Sequence, residues 1–165
     1  MRGWLLLSLL AACSRPSDES GAKQWPKPTP GSGVEIPADL SIEVTIDGAP
    51  GPAITGAQLR ATKPDFADAE RSAWMIPTLV ATAEPVGTTL QAFGPAGISV
   101  TFPRPMPNKL EPVLFLTRRG DVNVEAVDPA DPFPRFHGNG GRLHRVGDSI
   151  PHVERVSRIV IAHAK

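Results

Sequence analysis

The residues best suited to chemistry lie in one stretch, FPRFHGNGGRLHRVGDSIPHVERV, at positions 133–156. It holds three of the chain's four histidines, His137, His144 and His152, separated by seven and eight residues. Compact metal motifs place their ligands about three to five residues apart. A folded loop could still gather the histidines, with Asp148 as a further ligand, but the spacing alone assigns no metal site.

Arginine dominates the charge of the same stretch. Residues 134–165 carry six basic side chains against two acidic ones. Guanidinium groups bind phosphate, sulfate and carboxylate through paired hydrogen bonds, and the glycines of residues 138–141 could add backbone N–H donors. No helix can follow, because glycine and proline interrupt RLHRVGDSIP, so this is not a phosphate loop. Two interpretations stay open, a solvated surface turn and an anion-binding loop formed by Arg135, His137, Arg142, His144 and Arg145.

Catalysis finds little support in the sequence. Ser149 lies beside Asp148 and near His152, but that proximity is only sequential, and the chain lacks a G-x-S-x-G elbow. Tyrosine is absent, so no phenol can act as base or nucleophile. We therefore assign no catalytic residue and favour a non-enzymatic module over an enzyme.

The N-terminus is typical of an export signal. Arg2 precedes the apolar residues 4–10, a stretch too short to span a bilayer, and small residues lead into Cys13, the only cysteine. The sequence LAAC resembles the lipobox of bacterial lipoproteins; an ordinary signal peptide is the alternative. The resemblance implies removal of residues 1–12, lipidation of Cys13 and insertion of its acyl chains into a bilayer. Ser14 after the cysteine implies the outer membrane, with the protein facing the periplasm.

Composition divides the rest of the chain into a tether and a domain. Residues 13–38 are rich in Ser, Pro, Gly and charge, which is typical of a flexible linker. Residues 39–165 are apolar enough for one globular domain. With 17 basic and 17 acidic side chains, the chain has no overall charge to attract nucleic acid. A periplasmic protein or a small anion is the expected partner.

Local patterns predict an α+β, β-rich single domain with one or two short helices. LSIEVTIDG alternates like a half-buried strand, and Thr55 with Gln58 forms a capping box for a helix over residues 56–61. Residues 66–74 have helical spacing before Pro77, although SAWMI could instead be a strand. Two strand pairs follow, and RIVIAHA, apolar on both faces, predicts a final central strand.

The order of these features resembles the molybdopterin-binding domain of the sulfite-oxidase type. The likeness rests on SIEVTIDG, ITGAQLRATKP, GTTLQAFGPAGISVTF, EPVLFLTRRGDV and GGRLHRVGDSIPHVERVSRIVIA. It implies a degenerate oxidoreductase-like domain or an accessory subunit, in which Arg142, His144 and Arg145 match an anion-contacting loop. That family holds its metal through a cysteine within the domain, which this domain lacks. We therefore expect no cofactor, and carry over no catalytic residue.

Overall fold

In the computed structural model, the described residues are 35–68, 71–84, 86–117, 120–135, 143–144 and 147–164. They form two β-sheets with only short helices, as the sequence predicts. The helices are α1 (Gly56–Ala61) and α2 (Ile76–Leu79), with single 3-10 turns at Ala81–Ala83, Pro95–Gly97 and Pro107–Lys109. The strands are β1 (Ser41–Ile46), β2 (Ala49–Pro50), β3 (Ile54–Thr55), β4 (Phe66–Ala67), β5 (Ser72–Met75), β6 (Thr89–Phe93), β7 (Ser99–Pro103), β8 (Glu111–Leu116), β9 (Val122–Val127), β10 (His152–Val153) and β11 (Arg158–Ala162).

The two sheets differ in how they are connected. Sheet 1 has the order β2-β1-β11-β6-β7, with β3 also pairing with β1. Its β1 and β11 run parallel, so the first and last long strands lie side by side. Sheet 2 has the antiparallel order β10-β9-β8-β5-β4. The last part of the chain thus contributes β10 to sheet 2 and then β11 to sheet 1.

Several local predictions are confirmed. In β1, Ile42 and Val44 are buried while Ser41 and Glu43 are exposed, as the alternation requires. Helix α1 spans the predicted residues, and the Gln58 amide donates to the Thr55 hydroxyl at 3.2 Å. This bond satisfies one of the amide groups that a helix N-terminus leaves without a partner.

The helix predicted over residues 66–74 is wrong. Its alternative is correct, because residues 72–75 form β5, which pairs with β8 in the middle of sheet 2. Trp74 and Ala73 point to opposite faces of that sheet and are both buried, a pattern that helical spacing can imitate over a short segment. Pro77 lies in the first turn of α2 instead of ending a helix, since the first turn needs no proline N–H.

The main core lies between the two sheets. Sheet 1 contributes alternate residues such as Ile42, Leu90 and Ile161, and sheet 2 contributes Leu114 and Val124. Strand β11 occupies the predicted central position, between β1 and β6. Its two faces differ, however: Ile159 and Ile161 are fully buried, whereas Val160 is half-buried on the opposite face of the sheet.

The outer face of sheet 2 is covered, and that of sheet 1 is more open. Strand β9 is buried at all six positions, so both of its faces are shielded from water. Part of the shield comes from residues 128–135, 143–144 and 147–151, here called the cover segment. Its Leu143 packs with Val113 and Phe115 of sheet 2. On sheet 1, by contrast, alternate residues such as Glu43 and Arg158 are exposed.

The cover segment is attached near β5 through Phe133. Arg71 Nη2 donates to the Phe133 carbonyl at 3.3 Å, and the Arg71 guanidinium carbon lies 4.7 Å from the centre of the Phe133 ring. Asp68 holds the guanidinium through two hydrogen bonds of 3.0 and 2.7 Å. Because Arg71 is only 7% exposed, its carboxylate partner offsets the cost of burying the charge.

The two faces of β11 predict different sensitivities to truncation. Ile161→Ala, which empties a fully buried site, should lower the free energy of unfolding by about 2–5 kcal/mol. Val160→Ala, one residue away on the half-buried face, should cost less than about 1 kcal/mol. Urea denaturation of both variants measures the difference; equal losses would contradict the assignment of faces.

Candidate functional site

The strongest group of chemically capable side chains surrounds Glu125 on the outer face of sheet 2. Strand β9 presents Asn123 and Glu125 to that face, while its alternate valines enter the main core. Glu125 is 3% exposed and Asn123 7%. A carboxyl group so buried needs hydrogen-bond partners, and Asn123 Nδ2 supplies one, donating to Glu125 Oε1 at 3.3 Å.

The second partner of Glu125 is His144, from the cover segment. His144 Nδ1 lies 3.0 Å from Glu125 Oε2, and the His144 side chain is 11% exposed. With a carboxylate as acceptor, Nδ1 carries the proton and Nε2 keeps its lone pair when the ring is neutral. The contact joins residues 19 positions apart and attaches the cover segment to β9.

His152 completes the cluster from the neighbouring strand. It is paired directly with Glu125 in the β9–β10 register, and its ring centre lies 4.2 Å from that of His144, with 36° between the ring planes. The Ile150 carbonyl lies 3.1 Å from His152 Nδ1. A carbonyl only accepts hydrogen bonds, so Nδ1 of His152 is protonated as well.

The structure therefore brings together two of the three clustered histidines. His137, Arg142 and Arg145 lie outside the described residues, as do Cys13 and the glycines of residues 138–141. Arg135 is exposed. His144 faces a protein carboxylate, which already occupies the acceptor position that an anionic ligand would take on Nδ1. The anion-binding loop stays a prediction for all five residues.

Sequence reasoning missed Glu125 and Asn123. Both lie in VNVEAV, where the alternation reads as a strand with one polar, solvated face. In the structure, His144 of the cover segment and the neighbouring strand β10 lie against these two polar side chains, which are buried. The available signal was their paired position in a strand followed by a histidine-rich loop.

The described residues contain no group of three or more His, Cys, Asp or Glu side chains that could hold a metal ion. They also contain no helix long and apolar enough to cross a membrane.

No known protein family, curated protein or solved structure matches this chain. The resemblance to the molybdopterin-binding domain thus stays a prediction. Its thiolate-held metal does not fit the residues present, because the single cysteine, Cys13, lies at the start of the tether, outside the domain.

The fourth histidine, His163, differs from the pair in that both of its ring nitrogens are occupied. Nδ1 lies 2.8 Å from Asp47 Oδ2, and Nε2 lies 2.7 Å from the Thr82 carbonyl. Both partners are acceptors, so the arrangement suits the doubly protonated ring. The Asp47 hydrogen bond first, and the Thr82 carbonyl second, raise the pKa of His163 above its ordinary value of 6.5.

The raised pKa of His163 predicts a pH-dependent contribution to stability. Its contribution should be fully present below pH 6.5, the unfolded value, and should be lost as the pH rises through the higher folded pKa. His163→Gln should remove this slope from the pH profile of the melting temperature. An NMR titration of the His163 ring checks the cause; a midpoint at or below 6.5 would refute it.

Proposed function

We propose that this chain is a lipid-anchored binding module of the bacterial cell envelope. The observation that carries the proposal is the order of its parts: apolar residues 4–10, LAAC ending in Cys13, a polar tether, and then a packed β-rich domain. Acyl chains on Cys13 would hold the module on the membrane, and Ser14 favours the outer membrane, with the domain in the periplasm.

The way the chain enters the domain supports a tethered arrangement. Ile36, within the segment assigned to the tether, packs against the main core, and Arg60 Nη1 donates to its carbonyl at 3.0 Å. The Leu40 amide donates to the Pro37 carbonyl at 3.4 Å. These contacts fix the point at which the tether would join the domain. Residues 14–35, if extended like polyproline II, would reach about 70 Å.

Binding is the activity that the described surface supports best. The outer face of sheet 1 carries a row of paired side chains, Glu43, Arg158, Phe93 and Ser99, on four neighbouring strands. The Arg158 guanidinium carbon lies 4.1 Å from the centre of the Phe93 ring. A fixed arginine on an aromatic ring suits a protein or anionic partner. Together with exposed Arg135, it supports a role in recognition without chemistry.

The lipid anchor predicts a clear effect of Cys13→Ser. Wild-type protein should carry acyl chains, detected by mass spectrometry, and should sediment with the outer membrane. Cys13→Ser should lack acyl chains and leave the membrane fraction, because the thiol is the group that is alkylated.

Ser14→Asp is the matched control for this experiment. It keeps the cysteine, so the protein should remain acylated and membrane-bound but shift towards the inner membrane. Wild-type protein without acyl chains, or Cys13→Ser retained like the wild type, would contradict the anchor.

A further inference from the structure

The paired histidines share a feature that His163 lacks. His144 and His152 each have Nδ1 held by an acceptor of the protein, the Glu125 carboxylate and the Ile150 carbonyl. Within the described residues neither Nε2 has a hydrogen-bond partner. Histidines that bind metals through Nε2 are held in this way, because the second-shell acceptor fixes the tautomer and the ring orientation.

From this arrangement we infer that His144 and His152 bind one divalent transition-metal ion through their Nε2 atoms. Water or a ligand from outside the protein fills the remaining positions. The Glu125 carboxylate contacts His144 at Nδ1, on the side of the ring away from the metal. Its negative charge favours a cation at Nε2. The two-histidine site is compatible with the lack of a three-ligand group among the described residues.

The ring separation indicates which ions fit. With metal–nitrogen bonds of about 2 Å, two imidazoles place their ring centres about 4.5 Å apart at a right angle, and about 5.2 Å apart at the tetrahedral angle. The observed separation is 4.2 Å. The right angle of square-planar coordination is the closer match, and it is preferred by Cu(II) and Ni(II). The separation is thus closer to the geometry that Cu(II) and Ni(II) prefer than to the tetrahedron of Zn(II).

The inference names a ligand for the module proposed above and rests on that proposal only for its place in the envelope. The two proposals can be refuted independently, because metal binding is measured by titration and membrane anchoring by acylation and fractionation.

The test is a calorimetric titration of the full, untagged chain in detergent with Cu(II), Ni(II) and Zn(II), at about pH 7.5. Wild type should bind one Cu(II) per chain, more tightly than Zn(II). His152→Ala should weaken Cu(II) binding by about tenfold or more, and Glu125→Gln by about tenfold through the orientation of His144. Electron paramagnetic resonance of the Cu(II) form should show nitrogen ligands in the wild type and fewer in His152→Ala.

His163→Gln is the matched control, because both nitrogens of His163 already have partners. It should leave Cu(II) affinity unchanged. Circular dichroism confirms that each variant is folded, and His152→Ala is the decisive variant because it leaves the Glu125–His144 contact in place.

Three outcomes would overturn the inference. The first is wild-type protein that binds no Cu(II) or Ni(II). The second is folded His152→Ala with wild-type affinity. The third is a loss of binding confined to His137→Ala or His163→Gln.

Discussion

The burial of Glu125 is the constraint on which the outer face of sheet 2 depends. Strand β9 has water on neither face, so its carboxylate must find partners inside the protein. Asn123 and His144 supply them. Removing the partner of a buried hydrogen-bonding group leaves that group unsatisfied, which costs more than a typical exposed hydrogen bond contributes. The position of His144 in the cover segment is therefore tied to this carboxylate.

The outer faces of the two sheets differ in how far they are covered. Leu143 and Phe133 cover the apolar half of the outer face of sheet 2, and the histidine pair covers its polar half. Sheet 1 keeps a more exposed face, where Arg158 lies on Phe93. One side thus keeps a row of exposed side chains, and the other holds two imidazoles in fixed orientations.

The sequence predicted what depends on neighbours along the chain and missed what depends on distant contacts. Alternation in β1 and the Thr55–Gln58 cap are local, and both are confirmed. The helix prediction over residues 66–74 failed because a short strand with both faces buried imitates helical spacing. The cluster around Glu125 was missed for a related reason. The partner of Glu125 lies 19 residues away, and nothing in VNVEAV shows that its polar face is covered.

A double-mutant cycle on Glu125 and His144 tests this account most directly. The free energy of unfolding is measured for wild type, Glu125→Gln, His144→Gln and the double variant. If the two side chains hold the cover segment together, the sum of the two single losses should exceed the loss of the double variant, with a coupling energy of about 1 kcal/mol or more. Losses that add to within about 0.3 kcal/mol would show independent residues and contradict the account.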